Sequence, residues 1–449
     1  MSVQFEIEKF ESGALENVMG NYWMRVSDQI HLVNRFVFLE WASARVIAGW
    51  VPAAKEFEWK SELTRMMWQN MSFASQLRTR KEELSGNSKV LIPSEALQTF
   101  IQDVSRADGF FPFLAGWFLE VSKAQVDAYE RFLEALDPIF DAPTIDIVED
   151  VLPKKRKQIA WAKGLVHEAV KDRNVLERVE AWRGYTRAYL RQLGGIDERD
   201  RASASPAAPA RPEVEAYGPA PAVRTMPDWL KPGDFNEPPA EVRDNLKIFM
   251  WHYMTEIQVV DPMCYVFYGV PDMPFEFYYD FSRHIWDETR HHQMGVRRLT
   301  QMGYDIKQFP IPYVAEAIQD LENFYAELTM VGETCSFTRK KKSMDSFYGK
   351  GDILSGMTAE IDIVDERMHV RFGKKWIPLL FKQKFNVDKS LDEVVRDIMN
   401  RWMQLDDSGL GKLQGNPELT RLTDEEKKSI SHFAFCGKIE FKNLNFDQI

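Results

Sequence analysis

The sequence predicts an all-α protein of two four-helix bundles in tandem, the N-terminal one degenerate in its chemistry. Apolar positions recur at spacings of three and four from Asn17 to Leu193 and from Glu241 to Asn400, with Pro and Gly confined to breaks and strand-like alternation sparse. The length of 449 residues exceeds what one core usually fills. Between the two helical stretches, from Gly195 to Gly233, Ala, Pro and charge replace the pattern, and the run from Ala202 to Pro212 cannot hold a helix. The reading is therefore a helical domain over 1–194, a Pro/Ala-rich linker over 195–233, and a second domain over 234–449 that ends in a helical extension.

In the second domain the periodicity predicts helices near Arg243 to Pro262, Pro274 to Met302, Val314 to Lys342 and Ile353 to Trp376, then Leu391 to Leu405, with another after Pro417. The first four each carry one element of a repeated pattern. Glu256 precedes Asp287-Glu288-Thr289-Arg290-His291, and Glu333 precedes Asp365-Glu366-Arg367-Met368-His369. From lone to paired glutamate the intervals are 32 and 33 residues, one antiparallel helix pair each. Glutamate and histidine three apart share a helix face and can hold one ion together.

A single Glu-x-x-His is commonly a solvated face. Two copies at matched intervals in apolar surroundings change that, because Glu333 lies within Leu328 to Phe337 and Glu366 follows Ile361-Asp362-Ile363-Val364, where an unpaired carboxylate would be costly to bury. Glu327 competes with Glu333 but stands 39 residues from Glu366, which breaks the symmetry. Four carboxylates and two imidazoles, Glu256, Glu288, His291, Glu333, Glu366 and His369, are the ligand set of a carboxylate-bridged di-metal site in a four-helix bundle. Oxygen-rich donors with imidazole suit iron or manganese better than zinc.

These motifs resemble those of the ferritin-like superfamily, and Asp287-Glu288-Thr289-Arg290-His291 is similar to the helix signature of its di-iron oxygenases and oxidases. The run from Asp365 to Trp376 more closely resembles an uncharacterised bacterial ferritin-like family related to the tRNA-hydroxylating di-iron enzymes. The resemblance implies two ferritin-like bundles, with Glu256, Glu288 and His291 on one side of a two-iron cluster and Glu333, Glu366 and His369 on the other. A mixed manganese and iron pair is the alternative. Asp287 and Asp365 would accept from the far nitrogens of the ligand histidines, with Arg290 completing that outer network. His252, His284 and Asp362 lie four residues before ligands, as polar lining or as extra ligands.

The N-terminal half lacks this set. Laid on the second half with Trp68 on Trp286, it puts Asn70 where Glu288 stands and Phe73 where His291 stands; Lys155 falls on Glu366 and Gln158 on His369. A lysine and an amide cannot replace a bridging carboxylate and an imidazole, so even with Glu40 or Glu120 retained this half should bind no di-metal centre.

The activity that follows is an oxidoreductase that activates dioxygen, as co-substrate, to oxidise or oxygenate a small organic substrate. With no nucleotide-binding glycine loop and no iron-sulfur cysteine set, electrons must come from an external reductase or ferredoxin. A ferroxidase or iron-handling protein is the rival reading, and a scaffold with structural metal a third. A net charge of -11 sets the chain against nucleic acid, the basic run Arg339 to Lys342 reads as a solvated helix end, and the residues at the start do not read in the basic, apolar, small-residue order of a signal peptide, nor does any apolar run approach membrane length. A cytoplasmic protein is expected, and the two related halves permit either a monomer or a homodimer. Cys264, Cys335 and Cys436 lack metal-ligand spacing and read as reduced thiols. Tyr278, Tyr279 and Tyr325 are candidate neighbours of the metals, His292 a structural histidine.

Overall fold

In a computed structural model, residues 24–197, 209–212, 250–270, 272–308 and 321–403 are described. Most of the linker, the start of the first helix of the second domain, the segment before Leu321 and the extension after 403, with Cys436, lie outside the described residues, as does the side chain of Cys335. All regular structure among the described residues is helical. The chain divides into two compact units, one of Met1–Val46 with Gln69–Gly218, the other of Ile47–Trp68 with Pro219–Ile449.

The first unit is built from α1 (Val26–Trp50, up to Val46), α2 (Phe57–Ser85, from Gln69), α3 (Glu95–Ser105), α4 (Phe110–Leu114), α5 (Lys123–Glu134), α6 (Ala142–Ala169) and α7 (Arg173–Gln192). Side-chain caps start two of them: Ser94 accepts from Leu97 N in α3, and Asp172 from Asn174 N in α7. A π-helical stretch, Ala115–Ser122, joins α4 to α5 with helical backbone at both ends, Leu114 and Lys123. It packs on α7 where a Cβ at Gly116 would come within 2.6 Å of the Trp182 ring. Val33, Phe36, Val37, Met71, Phe73, Trp117 and Phe118 fill the core.

Inside this unit the substituted positions meet. Lys155 Nζ and Tyr129 Oη each lie 2.9 Å from the Glu40 carboxylate, all fully buried, and Gln158 Nε2 donates to Asn70 Oδ1 at 3.1 Å. Glu120, in the π stretch, pairs with Arg183 and Arg187. An ammonium thus neutralises the buried glutamate.

In the second unit, residues 250–255 are helical and run through a 3₁₀ turn, Glu256–Val259, into α8 (Val260–Gly269). The periodicity stops this helix at Pro262; the proline instead sits in the first turn of α8, where its missing N–H breaks no bond. Then follow α9 (Phe275–Gln301), α10 (Leu321–Glu327), a π-helical stretch Leu328–Glu333, α11 (Thr334–Gly349), α12 (Ile353–Phe385) and α13 (Leu391–Met403). Asp352 caps α12 by accepting from Ser355 N, and Asn386 ends it in the left-handed region at φ 52°. Pro153 and Pro378 lie inside α6 and α12, so proline is not confined to breaks as the sequence suggested. Residues 47–68 are held within this unit by buried polar pairs, Lys60 Nζ to Asp261 Oδ1 at 2.8 Å and Thr64 Oγ1 to Thr289 Oγ1 at 2.9 Å, and by Trp68 stacked on Trp286.

Two glycines set helix spacing around the centre of this unit. A Cβ at Gly295 of α9 would meet Met254 N at 2.4 Å and Met250 O at 2.5 Å, and one at Gly373 of α12 would meet Thr329 Oγ1 at 2.4 Å. At Gly295 backbone approaches backbone, and at Gly373 the helix approaches the Thr329 side chain, so that only hydrogen fits.

Candidate metal centre

Four segments of the second unit deliver acidic and imidazole side chains to one buried place. Glu256 comes from the 3₁₀ turn, Glu333 from the end of the π stretch, and two triplets, His284, Glu288, His291 and Asp362, Glu366, His369, from α9 and α12. Both triplets have the spacing i, i+4, i+7, which stacks three side chains on one face over two turns. A π stretch holds its residues in the register of a rarer helix, and such stretches recur at functional sites.

The donors sort into two groups whose ligating atoms lie within 4.8 Å of one another: His284, Glu288, Glu333 and His369 in the first, Glu256, His291, Asp362 and Glu366 in the second. All six residues singled out by spacing are brought together, and the two triplets add His284 and Asp362. The grouping is crosswise: Glu288 of α9 sits with His369 of α12, and Glu366 of α12 with His291 of α9. His252 is adjacent, 3.6 Å from Glu256 Oε1, and belongs to neither group.

The surrounding network fixes both imidazoles. His369 Nε2 lies 3.3 Å from Asp287 Oδ2, and His291 Nε2 lies 3.3 Å from Asp365 Oδ2. Arg283 Nε donates to both oxygens of Asp287 at 2.9 and 2.8 Å, and Arg290 donates to Asp287 and, at 3.1 Å, to Asp365. With Nε2 held on a carboxylate, each ring presents Nδ1 to the interior. Tyr325 Oη lies 3.5 Å from His284 Nδ1 and Tyr253 Oη donates to Asp362 Oδ2 at 2.9 Å, whereas Tyr278 donates to the Val270 carbonyl and stands apart. His292 Nδ1 donates to the Met254 carbonyl at 2.6 Å.

Lys340 of α11 is the functional candidate that sequence reasoning missed. The basic run does not form a solvated end throughout: Lys341 and Lys342 are exposed, but Lys340 is buried and its Nζ bonds Glu366 Oε1 and, at 2.9 Å, Asp362 Oδ1, with Glu256 Oε1 3.6 Å away. The signal was its distance from Glu333, seven residues or two turns on the same face.

The electrostatics follow from this crowding of buried acids around imidazole and ammonium. Burial works against charge on both rings, yet Asp362 and Glu256 hold His291, and Asp287, Glu333 and Glu366 hold His369, well above the ordinary histidine range. Burial alone would likewise lower Lys340, but Asp362, Glu366 and Glu256 hold it well above its usual value. Burial opposes ionisation of Asp287, and His369 and Arg283 outweigh it, so this carboxyl titrates far below the usual range. Protons thus sit where positive charge is wanted, the condition under which metal binding displaces them.

Whether the residues fit metal is tested by the atoms left without hydrogen-bond partners. Glu333 Oε2 and His369 Nδ1 in the first group, and Glu256 Oε2, His291 Nδ1 and Glu366 Oε2 in the second, are buried and make no hydrogen bond of normal geometry, although His291 Nδ1 stands 3.0 Å from Glu256 Oε2. Five such atoms clustered at one place would be a heavy penalty in a purely structural core. Charge agrees. Counted with every carboxyl ionised and every imidazole neutral, as they would be around bound metal, seven carboxylates, Glu256, Asp287, Glu288, Glu333, Asp362, Asp365 and Glu366, stand against three fixed cations, Arg283, Arg290 and Lys340, leaving four negative charges, which two divalent ions would cancel. Carboxylate oxygen with imidazole nitrogen, and no thiolate among them, is a donor set for iron or manganese. The donors fit.

No helix among the described residues is long and apolar enough to cross a membrane. Neither the curated proteins nor the solved structures contain a significant match to the chain. A family model described as "Protein of unknown function (DUF455)" matches residues 174–404, a span that contains every donor of the centre and the whole of its hydrogen-bonded surround. That match covers just over half of the sequence, and the chain belongs to this family.

Proposed function

We propose that the protein is a non-haem di-iron oxidoreductase of the ferritin-like type, which activates dioxygen to oxidise or oxygenate a small organic substrate. The observation that carries the reading is the pair of donor groups on two i, i+4, i+7 triplets, with unpartnered Nδ1 and carboxylate oxygens turned to a common interior. Two bound irons would supply the electron-transfer steps that dioxygen activation requires, with a mixed manganese and iron pair as the variant. The first iron would be held by His284, Glu288, Glu333 and His369, the second by Glu256, His291 and Glu366 with Asp362 beside it.

The remaining work belongs to the chain itself. Asp287 and Asp365 fix the tautomer of the two ligand rings, and Arg283 and Arg290 donate to those aspartates in turn. Burial of every donor but Glu256, whose side chain is 12% exposed, keeps bulk water from the centre and leaves the Glu256 and His252 side as the approach. Electrons are drawn from an external reductase or ferredoxin, since the chain has no nucleotide loop or iron-sulfur cysteine set. The first unit, with Lys155 on Glu40 in place of a metal, is the degenerate counterpart in this reading.

The test is to admit dioxygen to the iron-loaded, chemically reduced protein and follow oxygen consumption and visible absorption. Stoichiometric uptake with a transient absorption, abolished by Glu333→Ala, is expected. Repeated turnover of added ferrous iron, many equivalents per chain, would favour iron handling instead, and a spectrally silent protein would sink both.

A further inference from the structure

The two donor groups differ in one respect that ligand spacing does not show. The first, His284, Glu288, Glu333 and His369, has two imidazoles and two carboxylates, and the ion pairs among the described residues bring no lysine or arginine nitrogen to any of the four. Its members are 4% exposed or less. The second has one imidazole and three carboxylates, and a buried ammonium stands among them: Lys340 Nζ bonds Glu366 Oε1 and Asp362 Oδ1. Asp362 is tied at both oxygens, to Lys340 and to Tyr253. An incoming ion there finds only Glu256 Oε2, His291 Nδ1 and Glu366 Oε2 outside any hydrogen bond, the first two 3.0 Å apart. It also meets a like charge held within bonding distance of its own ligands, in a low-dielectric interior where such repulsion is least screened. Glu256, the most exposed of the eight donors at 12%, belongs to this group too.

Resting on the metal-centre reading above, we propose that Lys340 makes the two positions unequal: the first group takes a divalent ion first and tightly, and the second takes a weaker, exchangeable one. Lys340 is then a positioning residue that sets the affinity of the second ion without ligating it. In the first unit the same device is carried to its limit, where the Lys155 ammonium alone neutralises Glu40.

The experiment is a titration of metal-free, full-length protein with cobalt(II), followed by visible absorption and calorimetry, which reads binding and not turnover. Wild type should show two steps, the second at least tenfold weaker. Glu256→Gln should remove the weak step and Glu333→Gln the strong one. Lys340→Met should tighten the second step to within about threefold of the first and leave the first unchanged, which also reports that the centre is still folded. A wild-type chain that takes one ion and a Lys340→Met chain that takes two is the limiting form of the same result. Two equal steps in wild type, loss of the strong step in Glu256→Gln, or a second step no tighter in Lys340→Met with the first intact would each overturn the role of Lys340. Should Lys340→Met bind nothing, the two glutamate variants still decide the order. Absence of any bound cobalt in wild type would remove the metal-centre reading itself, a result distinct from two equal ions.

Discussion

Asp287→Asn changes one atom and tests how the centre is held. Asp287 is fully buried, lies 3.3 Å from His369 Nε2, and accepts two bonds from Arg283 and one from Arg290. Its carboxylate obliges the ring to carry the proton on Nε2, leaving Nδ1 free for metal. An asparagine can turn its amide N–H to Nε2 and move the proton to Nδ1, the wrong tautomer for a ligand. Loss of such an outer partner typically costs 10- to 100-fold in metal affinity, about 1.4 to 2.8 kcal/mol. The fold should suffer less than after loss of a whole buried pair, about 3–5 kcal/mol, because Arg290 keeps Asp365 at 3.1 Å and the amide oxygen still accepts from Arg283. The assay is competition for iron or cobalt against a chelator of known affinity, with a thermal melt alongside. Asp365→Asn is the matched control, since it acts on His291. The predicted outcome is loss at the His369 position in one variant and at the His291 position in the other. Affinity within threefold of wild type, in a protein that melts normally, would refute the account of the outer network.

Three further outcomes follow from the packing. Lys155→Met strands the buried Glu40 and should destabilise the first unit by about 3–5 kcal/mol in denaturant titration, with most of it recovered in the Glu40→Gln/Lys155→Met double variant; an unaffected single variant would contradict the pairing. Gly295→Ala forces a methyl against the Met254 and Met250 backbone and should cost about 1–3 kcal/mol, lowering metal content as Glu256 shifts. Chelation should lower the melting temperature of the metal-loaded protein, since an ion held at 100 times its dissociation constant adds about 2.7 kcal/mol. A melt indifferent to chelator would mean that the ion is not bound to the folded state.

Much of this architecture was legible in the sequence, for a definable reason. Helical spacing is a local property, so Glu288 with His291 and Glu366 with His369 could be placed on common faces, and the matched intervals to Glu256 and Glu333 pointed to the same bundle. Asp287 and Asp365 as partners of histidine were implied by the family resemblance. Which histidine each would meet was not: Asp287 reaches His369 and Asp365 reaches His291, a crossing fixed by how α9 and α12 register against each other. Lys340 was hidden by its exposed neighbours Lys341 and Lys342, which made the run look solvated. Pro262 and Pro378 misled helix ends, because a proline in a first turn breaks no bond and α12 continues through the other.

The most direct measurement is iron per chain in protein saturated anaerobically and then freed of loose metal, for wild type, Glu288→Ala and His369→Ala. The account predicts about two irons in wild type and a loss of at least one in each variant, with the helical content of all three unchanged. No iron in wild type, or equal iron in all three, would mean that these buried carboxylates and imidazoles are held for the fold alone.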